Sequence, residues 1–217
     1  MRDRDVRKAL FEQELERFES DGQSRIVEEL CLCQGDARVD VAVINGELHG
    51  YEIKSKNDTL DRLASQVEVY SKVLDRISLV VEESHLEKSL GIIPEWWGVI
   101  SVWEHNEVIK IHWLRPPFVN PNPDPISLSQ LLWRDEVLSL LALHGIDGNY
   151  KNKSRRYLWE RLATSLPFNE LNAGVRSSLK NRKEWRVDSP QTQGGGLRRP
   201  LPRSSGSRSQ RIHRHSL

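Results

Sequence analysis

Parity is the tightest constraint on this chain. Two stretches of alternating side chains, Val39-Asp40-Val41-Ala42-Val43 and Tyr51-Glu52-Ile53-Lys54, flank the turn-forming pair Asn45-Gly46 and read as two antiparallel strands. Val39, Val41, Val43, Tyr51 and Ile53 then share one face, while Glu52 and Lys54, two positions apart, point to the other. Asp40 decides the register. A two-residue Asn45-Gly46 loop pairs Ile44 with Glu47 and therefore Asp40 with Tyr51, which leaves Asp40 and Glu52 on opposite faces. An odd-length loop, or a bulge for which Gly50 is a suitable residue, returns both carboxylates to one face beside Lys54. We expect one of these irregularities, because two carboxylates and a lysine on one face form a layout suited to a metal ion.

The strands on either side extend this pattern. Residues 3–20 read as an amphipathic helix carrying Val6, Leu10, Phe11, Leu15 and Phe18. Ile26 to Cys33 is a further strand, so three strands form a meander. Asp58 is placed to cap a helix from Thr59 to Asp75, with Leu60, Leu63, Val67, Tyr70 and Leu74 at helical spacing. The β-branched run Ile77 to Val81 reads as a buried strand parallel to its predecessor. A short helix near His85 to Leu90 and two alternating strands, Val99 to Trp103 and Val108 to Trp113, follow. Residues 115–126, with prolines at 116, 117, 121, 123 and 125, read as a linker between a first domain, 1–114, and a helical region, 127–186. Within that region Ser127 to Leu143, Lys153 to Leu166 and Glu170 to Leu179 have helical spacing. The Gly-, Ser- and Arg-rich residues 187–217 are expected to be disordered.

Charge divides the same way. Residues 187–217 hold six arginines against one aspartate, so this tail is +5 and the preceding body −4. The body is not a broadly basic nucleic-acid binder; contact with nucleic acid there requires a local patch or a metal ion that neutralises carboxylates. The arginine- and acid-rich start has no apolar stretch of a signal peptide, and no run approaches a membrane span. Cys31 and Cys33, two apart on one strand, are expected to be plain thiols in a reducing cytoplasm. Trp96, Trp97, Trp103 and Trp113 fall on or beside apolar strand patterns and are assigned to the core.

The order helix, strand, Asp40-bearing strand, Glu52-x-Lys54 strand, helix, strand over residues 1–82 resembles the PD-(D/E)XK nuclease superfamily, with Val39 in place of the motif proline. The resemblance implies an α/β fold with a restriction-endonuclease-like core, to which the later strands add a hairpin and the last third a helical region. It implies that Asp40 and Glu52, with the Ile53 carbonyl and Glu29 as further ligands, hold Mg²⁺ or Mn²⁺. It implies that Lys54 orients the attacking water, and that Gln66 and Tyr70 form a Gln-x-x-x-Tyr element beside them as in RecB-like members. A metal-dependent deoxyribonuclease follows as the expected activity, with repair, recombination or mobile-element defence as its setting. Arg62, one turn before Gln66, and the basic cluster Lys153, Arg155 and Arg156 are candidate phosphate contacts. Residues 137–162 resemble a helix-turn-helix module. DNA is the expected partner, with a protein partner or a homodimer through the helical region as a further possibility. The alternative is a protein on the same fold that binds nucleic acid or a partner without cutting.

Overall fold

The computed structural model describes residues 2–183 and 185. Met1–Lys183 form one compact unit, so the expected boundary at 115–126 lies inside it; the expected basic tail lies outside the described residues. Its centre is a six-stranded mixed sheet in sequential order. The strands are β1 (Arg25–Leu32), β2 (Ala37–Ile44), β3 (Leu48–Lys54), β4 (Arg76–Glu82), β5 (Gly98–His105) and β6 (Val108–Arg115). β1, β2 and β3 form the antiparallel meander, β3, β4 and β5 run parallel, and β6 returns antiparallel to β5 as the added hairpin. The parallel β3–β4 step requires a crossover, which α3 (Leu63–Val73) provides, and α4 (Glu83–Leu90) lies between β4 and β5.

The first helical segment is interrupted. α1 (Asp3–Leu10) and α2 (Glu16–Ser20) are joined by a π-helical turn at Phe11–Leu15. Leu10 and Leu15 lie five positions apart, a spacing that carries the second leucine off the core face of a straight α-helix; the wider turn brings it back. Both are fully buried with Val6 against Val41, Val43, Tyr51 and Ile53, the alternating set read from the sequence, and against Val80, Ile100 and Val102. On the other face of the β2–β3 hairpin Gly50 lets Leu74, just past α3, approach the sheet: a Cβ there would meet Leu74 Cδ1 at 2.6 Å.

Two helix boundaries differ from expectation. α3 starts at Leu63, because the Asp58 carboxylate accepts from the Ser55 amide (2.7 Å) and hydroxyl (2.6 Å) and closes a turn before the helix. The pattern from Ser127 to Leu143 divides into α5 (Pro125–Ser129) and α6 (Arg134–Leu143), since Glu136 reaches back to the Trp133 amide (2.7 Å) and starts a second helix after the buried pair Leu131 and Leu132. α7 (Arg155–Ser165) and α8 (Phe168–Asn181) complete the helical region.

The proline-rich segment follows a path pinned to the start of β4. The Asn120 side-chain amide donates to the carbonyls of Ser71 (2.7 Å) and Leu74 (2.9 Å), and Arg76 donates to the Pro117 carbonyl (2.7 Å). Its prolines fix the backbone, and the buried Asn120 supplies the bonds that proline nitrogens cannot. Trp97 is fully buried and stacks near Tyr70, with ring centroids 6.0 Å apart, in keeping with a core assignment.

Candidate functional site

The hairpin loop decides the parity question. Ile44 pairs with Leu48, leaving three residues, Asn45 to Glu47, in the loop. The Asn45 side chain accepts from the Glu47 amide (2.9 Å) and holds this odd-length turn. Gly50 pairs regularly with Ala42 and forms no bulge. The last ladder pair is Val41 with Tyr51, so Asp40 comes opposite Glu52 on one face.

The strands part at that point, and Asp40 substitutes for the ladder by accepting the Ile53 N–H at 2.7 Å through Oδ2. Ile53, named above for its carbonyl, thus contributes its amide. Glu52, only 2% exposed, is enclosed by donors. Its Oε1 accepts from Lys54 Nζ (2.7 Å) and Gln66 Nε2 (2.6 Å), and its Oε2 from the Tyr70 hydroxyl (2.6 Å). The structure therefore brings Asp40, Glu52, Lys54, Gln66 and Tyr70 together. Two of them, Gln66 and Tyr70, are one helical turn apart on α3 and also meet each other at 3.2 Å.

Arg7 completes the cluster, and sequence reasoning missed it. From α1 its guanidinium donates to the Asp40 carbonyl (2.9 Å), Asp40 Oδ1 (3.4 Å), Glu28 (3.2 Å) and Glu29 (3.0 Å). Glu29 faces Arg7 on one oxygen and Arg38, at 3.8 Å, on the other. Its backbone lies in the left-handed region, with φ of 56°, where β1 passes Asp40. The acids at residues 28, 29 and 40 outnumber the cations beside them in the chain, Arg25 and Arg38, which is the one sequence signal for Arg7.

Burial, and then the negative charge on Glu52, push the Asp40 carboxyl up to about 7. Burial and the same glutamate raise the Tyr70 phenol, which stays a hydrogen-bond donor. As arranged, the donor set does not fit a divalent cation. Mg²⁺ needs free oxygens in near-octahedral order, whereas each oxygen of Asp40 and Glu52 already accepts a bond from the protein. Among the described residues no group of three or more His, Cys, Asp or Glu side chains is placed to hold a metal ion. Arg7 is the cation of this centre.

The remaining candidates lie elsewhere. Arg62 is exposed at the start of α3. Lys153, Arg155 and Arg156 are exposed around the first turn of α7, where Ser154 caps the Tyr157 amide (3.2 Å). Residues 144–154 separate α6 from α7, too long for the three- to four-residue turn of a helix-turn-helix, so that reading is withdrawn. Arg134 instead pins this loop by donating to the carbonyls of Tyr150 (2.6 Å), Lys151 (3.1 Å) and Lys153 (2.5 Å).

A family model described as bacteriophage P4 protein cII matches residues 1–189. The chain belongs to that family. Protein cII of Enterobacteria phage P4 is 26% identical over 157 residues, covering 72% of this chain and 59% of that protein. The chain thus spans less than two thirds of the length of this cII protein. No solved structure matches. These matches indicate no PD-(D/E)XK nuclease family, so the nuclease resemblance, and the metal-dependent deoxyribonuclease and hydrolase activity drawn from it, are withdrawn. The physical reason is that an Asp and a Glu-x-Lys on one face require only an odd hairpin loop. The same residues serve equally well in a closed network of buried polar groups.

Proposed function

We propose that this cII-family protein binds nucleic acid without cutting it, gripping the phosphate backbone through the basic surface at the start of α7. One observation carries the reading. Lys151, Lys153, Arg155 and Arg156 are all exposed around Ser154, and among the described residues only Arg156 has a carboxylate partner, Glu160 at 2.8 Å. Lys153 and Arg155 lie over the Tyr157 and Trp159 rings, at 4.8 and 5.4 Å from the centroids, which presents their charges from a fixed surface. The helix N-terminus adds its own positive potential. A cluster of this kind in a body of net negative charge localises phosphate contact to one place.

A protein partner on the helical region is the less supported occupant. Leu131, Leu132, Val137 and Leu141 are buried within the chain itself. Arg62 is a secondary phosphate contact in this reading, and the sheet with α1 and α3 is a restriction-endonuclease-like core used as a scaffold. The two free thiols, Cys31 and Cys33, suit the cytoplasm, and among the described residues no helix is long and apolar enough to cross a membrane.

The test is binding of labelled duplex and single-stranded DNA and RNA by the full chain over a range of salt. Reversing Lys153, Arg155 and Arg156 to glutamate is expected to weaken binding at least ~10-fold and to flatten the salt dependence. Binding unchanged by the triple reversal would contradict the proposal.

A further inference from the structure

A cavity of about 590 Å³ opens between α8, the turn before β1 and the tip of the β2–β3 hairpin. It lies at the end of the hairpin away from Asp40, and no residue of α7 lines it. Its walls carry Arg25, Arg176 and Lys180, together with the amides of Gln23, Asn45 and Asn181, and none of its lining residues is acidic. We propose that this cavity binds a phosphate monoester of nucleotide size.

Two of these side chains are also bonded within the fold. Arg176 donates one nitrogen to Asp75 at 3.4 Å. That carboxylate is itself fixed by the Leu48 amide (2.7 Å) and Asn172 (2.6 Å). Arg25 donates to the Lys180 carbonyl at 3.3 Å, which ties the start of β1 to α8. The Lys180 ammonium has no carboxylate within ion-pair distance among the described residues. The nearby Asp21 is turned onto the amides of Gln23 and Ser24, both at 2.7 Å, and the Ser24 hydroxyl at 2.6 Å. Two guanidinium groups and an ammonium suit a phosphate dianion, for which charge-assisted bonds are the strong ones. The volume exceeds what phosphate alone fills and lies in the range of small-ligand sites. The amides of Gln23, Asn45 and Asn181 give the remainder of such a ligand both donors and acceptors.

Calorimetric titration of the full chain with inorganic phosphate, a nucleoside monophosphate and the unphosphorylated nucleoside tests this. Oligonucleotides with and without a 5′-phosphate separate a free nucleotide from a nucleic-acid end as the source of the same group. The monophosphate is expected to bind more tightly than phosphate, and the nucleoside not at all. Lys180→Glu is expected to weaken the monophosphate at least ~10-fold, and Gln23→Ala by less. The triple reversal on α7 should leave it unchanged, which separates this site from the nucleic-acid surface. Absence of binding by every phosphorylated probe, or binding indifferent to both Lys180→Glu and Gln23→Ala in folded protein, would overturn the proposal.

Discussion

The carboxylate centre and the α7 surface use charge in opposite ways. At the centre, Asp40, Glu52 and Lys54 are satisfied from within by Arg7, Gln66, Tyr70 and the Ile53 amide, and Lys54 is only 5% exposed. At α7, Lys153 and Arg155 are exposed and carry no carboxylate partner among the described residues. The first arrangement ties α1, the hairpin and α3 into one unit; the second leaves charge available to something outside the chain. In the proposed reading, a motif that resembles catalytic machinery holds the architecture together, and a plainer basic cluster is the contact surface.

The largest effect should come from opening the centre. Arg7→Ala leaves Glu28 and Asp40 without their cation and Glu29 with Arg38 alone, and is expected to cost roughly 2–4 kcal/mol in urea unfolding. Asp40→Asn in the same chain should recover part of that loss. An Arg7→Ala protein as stable as the parent would show that the centre holds nothing together. Next, Glu52→Gln strands the Lys54 ammonium and should cost about 2–3 kcal/mol, while Glu52→Gln with Lys54→Met should cost much less, since a matched apolar replacement can equal a buried ion pair. By contrast, the triple reversal on α7 should leave the urea unfolding midpoint close to that of the parent, because exposed charges contribute little to folding.

Protonation sharpens the contrast. Asp40 is raised on folding, from an ordinary value near 4 to about 7. The stability it contributes is complete below pH 4 and is lost as pH rises to 7. His49 has the opposite sign: burial first, then Arg76 and Arg17, lower it to about 3. Its contribution is present above its ordinary value near 6.5 and is lost as pH falls towards 3. The two slopes oppose each other in the parent. Asp40→Asn should uncover the His49 slope, so that stability of the variant falls monotonically from pH 7 to pH 4; an unchanged profile would remove Asp40 from the account. The smallest effect expected is that of metal. With Arg7 already bonded to Asp40, melting in Mg²⁺ and in EDTA should coincide, and a rise in Mg²⁺ that Asp40→Asn abolishes would instead place a cation there.

How much of this was legible follows from the range of each interaction. The β2–β3 hairpin, the parallel β4 and the approach of Gln66 and Tyr70 to Glu52 depend on alternation and helical spacing, which are local. Requiring Asp40 and Glu52 on one face called for an odd-length loop or a bulge at Gly50, and the loop is what the hairpin has. Arg7, by contrast, meets Asp40 across 33 positions, and no local pattern encodes that contact. The cavity is equally hidden, because Arg25, Asn45 and Arg176 come together only when α8 packs beside the hairpin. The late start of α3 was missed because Asp58 had a nearer donor in Ser55 than any helix amide. Function was misread for a related reason: Asp40, Glu52, Lys54, Gln66 and Tyr70 do come together, but Arg7, which bonds Asp40, lay outside the motif.

The most direct measurement is fluorescence anisotropy of labelled DNA titrated with three full-length proteins: the parent, Asp40→Asn, and the triple Lys153, Arg155 and Arg156 reversal. The account predicts equal binding by the parent and Asp40→Asn, loss of about tenfold or more in the triple variant, and DNA recovered intact. Binding that survives the triple reversal, or cleavage that disappears with Asp40→Asn, would contradict it.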